Sequence, residues 1–398
     1  MKKIFILATA ACLSFHLAFA AEIPFQLSVE SEKEAETELE LKGWPGKLQN
    51  FRKEWEDKYG TTFAVIINSQ SQVATHSKIH QGKWSPAWYY NIGLEQKLWK
   101  GGLAAFEIEG GHNLGIDKRL PNFSILNYNA WEISYLYVSE LYLQQNFFAD
   151  KLYLAAGRLD LSNWFDYNEV AALNDTQFQA GALVNNLTVP FPSKGLGAMA
   201  GIKPLDWFYF QVGASDAEAA STRVGLTNCF QGTLFISEIG FSPQIGKLKG
   251  NYRFLFHLAH EGLERIDEAG RKINSRGFGI SFDQQVTGRI TLFLRYGFAD
   301  KVVREIEHFW SVGGQLSEPI PGRKDDVFGI GVAQSIAGKD YRIANESGSA
   351  ETLYEVYYNI SLHPFVKFIP NMEVVTHPQA EKHSGTYLVA GARLVIIF

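Results

Sequence analysis

The sequence predicts an all-β protein: a 16-stranded antiparallel transmembrane β-barrel with a short N-terminal amphipathic helix. Three observations predict it. A secretory leader opens the chain, a strand with one wholly apolar face ends it, and the segments between alternate in polarity and are joined by connections that are short and long in turn.

Met1-Lys2-Lys3 is a basic start, Ile4 to Leu17 an apolar stretch and Ala18-Phe19-Ala20 a small-x-small cleavage site, so residues 1–20 read as a signal peptide removed after Ala20. Cleavage takes away Cys12 and leaves Cys229, which excludes an intrachain disulfide and argues against Cys/His zinc ligation; no metal and no cofactor is expected. It also removes Lys2 and Lys3 and moves the formal charge from −5 to −7, because residues 1–20 hold no acid. A mildly acidic chain without basic blocks is not built for nucleic acid. Beyond the leader no run of eighteen apolar residues occurs, so a membrane would have to be crossed by strands. The 29 Phe, 17 Tyr and 9 Trp suit a lipid face with interfacial girdles, and the 36 Gly suit strand bends.

Residues 21–60 differ from the rest. Glu30, Glu32, Glu34, Glu36, Glu38 and Glu40 form an acidic, solvated run. Leu48, Phe51, Trp55 and Tyr59 then share one helical face after Gly43-Trp44-Pro45-Gly46, and Gly60 suits a stop. The expectation is a periplasmic amphipathic helix over 45–59 that caps or plugs a barrel mouth, the alternative being a membrane-surface or partner-binding helix.

From Thr61 to Phe398 the period is that of strands. Trp88, Tyr90, Ile92 and Leu94 alternate with polar positions, as do Tyr252, Phe254, Phe256 and Leu258, and Ile290, Leu292, Leu294, Tyr296 and Phe298. Between them stand Asn91, Arg253, His257, Arg289 and Arg295, so the pattern is apolar outward and polar inward, as around a water-filled lumen. Strands are expected near 61–69, 87–98, 103–111, 130–144, 151–159, 197–203, 207–215, 233–241, 250–258, 276–286, 289–298, 309–317, 326–335, 352–362, 365–376 and 386–398. In the last of these, Leu388, Ala390, Ala392, Leu394, Ile396 and Phe398 make one apolar face directed at lipid, and Phe398 is the expected handle for the barrel-assembly machinery. Short turns such as Lys100-Gly101-Gly102 and His363-Pro364 alternate with long loops, the habit of outer-membrane barrels with periplasmic turns and external loops.

Catalytic motifs do not survive their context. Gly195-Leu196-Gly197-Ala198-Met199-Ala200 leads into Lys203-Pro204 rather than a helix, and His257 and His260 begin on a strand, where positions three apart face opposite ways. The longest connection, 160–196, stands out instead. It mixes Asp160, Trp164, Asp166 and Asn168 with Phe178 and Pro190-Phe191-Pro192, and a loop of that length is uncommon unless it folds against something. Inside a barrel its aromatics would stack on sugar rings while Arg, Asp and Asn bind hydroxyls. Candidate residues of the constriction are Arg158, Asp160, Trp164, Asp166, Asn168, Arg253, Arg289, Arg295, Arg393, Glu107 and Glu109.

At these positions the chain resembles a known family. Gly157-Arg158-Leu159-Asp160-Leu161-Ser162 with Phe165-Asp166-Tyr167-Asn168, then Ala182-Leu183-Val184-Asn185-Asn186 with Pro190-Phe191-Pro192, Arg323-Lys324-Asp325-Asp326-Val327-Phe328-Gly329, Glu351-Thr352-Leu353-Tyr354-Glu355 and Gly391-Ala392-Arg393-Leu394 resemble the carbohydrate-selective outer-membrane porins, the OprB family. The resemblance runs from about residue 43 to 398 and departs from the pattern at Pro45, where a Gly is expected. It implies a bacterial outer-membrane channel, not an enzyme, that passes sugars such as glucose by diffusion and whose partners are small-molecule sugars and outer-membrane lipid. It leaves monomer and homotrimer open. The rival reading is an outer-membrane barrel enzyme or adhesin without an open channel.

Overall fold

A computed structural model of the chain describes residues 44–76, 84–112, 115–130, 136–219, 230–383 and 385–398. The expected signal peptide and acidic run lie outside the described residues. Sixteen long strands form one closed antiparallel sheet, with the two-residue ribbon Gln244–Ile245 as its only short addition among the described residues. In chain order they are β1 Thr61–His76, β2 Trp84–Trp99, β3 Gly102–His112, β4 Tyr137–Phe147, β5 Leu152–Leu159, β6 Gly195–Leu205, β7 Phe208–Asp216, β8 Thr233–Phe241, β9 Leu248–Glu264, β10 Lys272–Gln285, β11 Ile290–Ala299, β12 Ile306–Ser317, β13 Val327–Ala337, β14 Ala350–His363, β15 Val366–Thr376 and β16 Tyr387–Ile397.

Each strand pairs with its neighbours in sequence, and β16 returns to β1 with Ile66 opposite Ile397 and Val73 opposite Ala390. Beyond the ladder, the backbone N–H of Phe398 donates to Val65 O at 3.0 Å and Phe398 O accepts from Val65 N–H at 2.6 Å. Closure leaves no edge strand, which a membrane requires because unpaired backbone groups find no water there. The alternation does what the sequence requires of it: Phe254, Phe256 and Leu258 are exposed, while Arg253, Leu255, His257 and Ala259 between them are buried.

Two differences from the expected strands have physical causes. β1 runs on to His76, and β9 and β10 reach Glu264 and Lys272, well past the expected ends. Outward positions there, such as Ser71 in β1 and His260 in β9, are polar, so the ladder outlasts the apolar band that marks the strand in sequence. The strand expected at 130–144 begins only at Tyr137, because 115–130 is drawn inward and coils through a short 3-10 turn at Tyr128–Ala130. Trp131, Ile133 and Tyr135 lie outside the described residues.

Helix α1, Trp44–Tyr59, ends at Gly60 (φ 66°), whose N–H donates to Glu56 O at 2.8 Å. The Phe51 ring lies 6.1 Å from that of Phe63, and the Arg52 guanidinium sits over Phe63 at 5.8 Å. Phe63 pairs with Leu94, an exposed residue of the outer face. The helix therefore rests against the outer side of the wall at the short-turn end, rather than across the mouth.

Candidate functional site

Near its end β5 passes Gly157, whose φ of 146° and close approach to Leu141 and Tyr142 leave no room for a side chain, and the connection to β6 leaves the wall after Leu159. From there it enters the lumen and is fastened to the wall at each stage. Asp160 caps a 3-10 turn, its Oδ1 accepting from Ser162 N–H at 2.9 Å and Ser162 Oγ at 2.6 Å, while its own N–H donates to Glu140 Oε1 at 2.8 Å. Leu161, Trp164 and Phe165 then pack on Tyr142, Tyr153, Leu234 and Ile236.

The centre of the loop is held by charge. Asp166 sits in the left-handed region (φ 62°); its N–H donates to Glu238 Oε2 at 2.8 Å and its Oδ2 accepts from Asn186 N–H at 2.8 Å. Arg295 pairs with that carboxylate at 3.1 Å and donates to Leu183 O at 2.9 Å and to Asp166 O at 3.0 Å. Arg253 pairs with Asp283 at 2.8 Å and lies over the Tyr167 ring. Asn168 Nδ2 donates to Phe282 O at 3.1 Å, and Glu169 N–H donates to Asp283 Oδ2 at 3.2 Å. Burial and the adjacent Asp283 push the Glu169 carboxyl up to about 8, against the pull of Arg253.

On the far wall Phe178 meets Phe293 and Tyr357 edge-on, and the N–H groups of Gln179 and Ala180 donate to Glu355 at 2.7 and 3.0 Å. Arg393 donates to the carbonyls of Asn174 and, at 2.6 Å, Gln177. A short helix α2, Gly181–Val184, follows. Asn186 and Thr188 lie over Gly297, and Leu183 and Phe178 over Gly331, so wall glycines make the recesses that receive the loop.

A second inward segment, 115–130, lies against the first. Gly181 N–H donates to Ile125 O at 2.8 Å, Ala182 N–H to Ser124 O at 2.9 Å and Tyr128 N–H to Gln179 O at 3.2 Å. Glu351 anchors it by accepting from Phe123 N–H at 2.7 Å and from the Ser124 hydroxyl.

Of the residues expected at the constriction, Asp160, Trp164, Asp166, Asn168, Arg253, Arg295 and Arg393 meet where loop and wall join. Trp164 is not a free stacking face: it is 7% exposed, lies 6.3 Å from the Tyr153 ring and 6.1 Å from Tyr142, and its carbonyl accepts from Gln211 at 2.6 Å. Arg289 is elsewhere. It is exposed at a short turn, donating to Ser317 O at 3.0 Å, because Thr287-Gly288 ends the hairpin just before it. Arg158 also leaves the expected position: it faces Leu141, an exposed residue, in the ladder, so it has the outward parity, and its Nε donates to Ser139 O at 3.2 Å. Glu107 and Glu109 face inward on β3; Glu107 accepts from Ser139 at 2.6 Å, and Glu109 meets Lys194 and Tyr137.

The wall carboxylates Glu140, Glu238, Asp283, Glu351 and Glu355 were missing from the expected set, although Glu351 and Glu355, four apart on one strand, declare a shared inward face. What remains on the β2 to β4 side is an acidic strip, with Glu95, Glu107 and Glu140 around one small cavity and Glu109 beside Lys194.

Residues 95–398 match the family described as carbohydrate-selective porin, OprB family. The chain belongs to that family. Among solved structures, the barrel is similar to Pseudomonas putida OprB at high pH, with a TM-score of 0.78 and 18% identity over 89% of this chain and 97% of that one. It is also similar in fold to the outer-membrane channel DcaP of Acinetobacter baumannii, at a TM-score of 0.55 and 11% identity over 85% of this chain and 97% of that one. In sequence it is similar to Porin AaxA of Chlamydia abortus, 21% identical over 64% of this chain and 56% of that protein. Porin AaxA of Chlamydia trachomatis serovar D is 22% identical over 65% of this chain and 55% of that protein. The match thus spans little more than half the length of these relatives. An OprB porin is a carbohydrate-selective channel of the outer membrane, not an enzyme, and the closed barrel with its polar interior is the form such a channel takes.

Proposed function

We propose that this porin passes monosaccharides such as glucose by passive diffusion, and that the two inward segments set its selectivity. The observation that carries the proposal is the fastening of 160–194 to both sides of the lumen, at Glu140 and Glu238 on one wall and at Glu355 and Arg393 on the other. A barrel of sixteen strands is wide enough to leave an aqueous channel, so discrimination among small solutes needs an internal narrowing. Segment 115–130 shares that task, because it backs the loop along Ser124, Ile125 and Tyr128. Sugar hydroxyls would exchange hydrogen bonds with carboxylates and with the amide and guanidinium donors along this path. The leader is cleaved after Ala20 on this reading, and insertion runs through the terminal strand.

The test is conductance of the purified channel in a planar bilayer with a panel of sugars. Steady ohmic steps, blocked by hexoses in a concentration-dependent way, are expected. Replacing 168–186 by a short Gly/Ser linker raises conductance and abolishes the block. A folded barrel lacking the loop that keeps native conductance and block would overturn the reading, and a silent native protein would favour an adhesive barrel.

A further inference from the structure

Helix α1 presents an aromatic stripe that meets the barrel at one end, Phe51 on Phe63, and is otherwise left exposed by the described residues. Phe51, Trp55 and Tyr59, one helical turn apart, are 46%, 39% and 50% exposed. Their rings form a continuous row, with centroids 5.2 Å apart between Phe51 and Trp55 and 4.9 Å between Trp55 and Tyr59. The helix touches the protein along a neighbouring line, where Leu48, Gln49, Arg52 and Glu56 are half-buried and Glu56 pairs with Lys97 at 2.9 Å. Phe63, on which Phe51 and Arg52 lie, belongs to the outer face of the wall.

Exposed aromatics in water would be costly, but this row is not alone at its level. The short-turn end of the barrel carries Trp99 at 61%, Phe148 at 76% and Trp207 at 52% exposure, an interfacial girdle of the kind that sits among lipid headgroups. Trp99 ends β2, the strand beside the one that α1 runs into, so the helix stripe continues the girdle. At about 100° per residue, Lys58 and Lys47 border the stripe on one flank, with Glu54 just beyond them, and Arg52 borders it on the other, with Glu56 beyond, while Lys53 and Asp57 fall on the opposite face. Lys47 and Lys58 are exposed, and the Lys58 Nζ lies 4.9 Å from the Tyr59 ring. Apolar rings bordered by basic groups match a phospholipid interface, where rings enter the acyl boundary and ammonium groups meet phosphate.

We propose that α1 is an interfacial anchor: it lies in the periplasmic leaflet beside the barrel, its Phe51, Trp55 and Tyr59 row inserted among glycerophospholipid headgroups with Lys47 and Lys58 at the phosphates. The helix ties the chain preceding β1 to the membrane plane and leaves the periplasmic mouth open.

The test uses nitroxide labels at Phe51→Cys, Trp55→Cys and Lys53→Cys, each in a background with Cys12→Ser and Cys229→Ser. The protein is purified from outer membranes and reconstituted in phosphatidylethanolamine and phosphatidylglycerol vesicles. All three labels replace exposed side chains, and heat-modifiable migration shows that each barrel has folded. Power-saturation EPR compares collision with oxygen, which concentrates in lipid, and with a nickel chelate, which stays in water. Labels at 51 and 55 are expected to favour oxygen over the chelate several-fold more than the label at 53. Equal access of the chelate to all three positions would place the helix in water and overturn the proposal. Exclusion of both reagents from 51 and 55 would place the stripe against protein and overturn it as well.

Discussion

Changing Arg295 to Met removes the clamp at the middle of the inward loop while keeping an apolar side chain of similar length. The guanidinium is fully buried and makes three contacts with the loop: the Asp166 carboxylate at 3.1 Å, Leu183 O at 2.9 Å and Asp166 O at 3.0 Å. Breaking a buried pair by removing one partner costs about 3–5 kcal/mol, because the remaining charge is left uncompensated. The low end applies here, since Asp166 keeps the N–H of Asn186 and Arg253 stands nearby. At about 1.4 kcal/mol per tenfold, ~3 kcal/mol shifts the docking equilibrium of the loop by about 100-fold. The strand ladders do not depend on this contact, so the barrel should melt near the native temperature while its single-channel current becomes larger and noisier. Limited proteolysis between 166 and 186 should accelerate in parallel. Adding Asp166→Asn to Arg295→Met should recover part of the loss, because no unpaired charge remains. Native conductance, native noise and native protease resistance in Arg295→Met would refute the idea that this residue holds the loop.

Four further outcomes are expected. Trp164→Ala opens a cavity between Tyr142 and Tyr153 and should weaken loop docking by about 3–5 kcal/mol, raising conductance as well as weakening sugar block; weaker block at constant conductance would restore a direct stacking role. Glu169, with its carboxyl raised to about 8, is neutral in the folded loop where an ordinary carboxyl is already ionised, so docking should be strongest below the ordinary carboxyl range, weaken as pH rises to about 8, and level off above it. Glu169→Gln should reduce that dependence in proteolysis between pH 5 and 8, leaving the part that comes from Asp166, raised by burial to about 6, and from the buried Glu238 carboxyl beside it. Glu107→Gln with Glu109→Gln thins the acidic strip, and the reversal potential in a KCl gradient should shift towards anions. Deleting Phe398 removes two backbone hydrogen bonds to Val65, each worth about 1 kcal/mol, together with the terminal aromatic; outer-membrane levels should fall while periplasmic export persists.

Much of the barrel was legible because strand period and lipid exposure coincide. Phe254, Phe256 and Leu258 mark one strand and Leu292, Leu294 and Tyr296 another, with no need of long-range information. Legibility failed where the two signals part. Above the apolar band β1 continues as a paired strand through Ser69 and Ser71, where the outward face turns polar. Residues 115–130 mix polar and apolar side chains without strand alternation and turn inward, so Leu120, Phe123 and Leu126 pack in the lumen with Phe178, Leu183 and Val184 of the longer loop rather than on lipid. Residue type showed that 160–196 was unusual, but the partner of each side chain depends on which strands face one another across the barrel. Trp164 illustrates the limit: an aromatic in a loop is compatible with a sugar platform or a buried brace, and only its place between two wall tyrosines decides.

The charges inside this channel therefore divide by what they hold. Arg253, Arg295, Arg393, Glu238, Glu351 and Glu355 each have a partner in the inward segments or in the wall beside them, and moving any of them changes the shape of the opening before it changes the field within it. Glu107 and Glu109 are of the other kind, since their partners are Ser139, Tyr137 and Lys194 at the rim of the loop rather than loop backbone in its centre. Structural charges should show coupled changes in conductance, noise and proteolysis; field-setting charges should change ion preference with the loop still docked. A channel that selects neutral sugars needs both, because donors and acceptors can discriminate hydroxyl patterns only at a wall whose geometry is fixed beforehand.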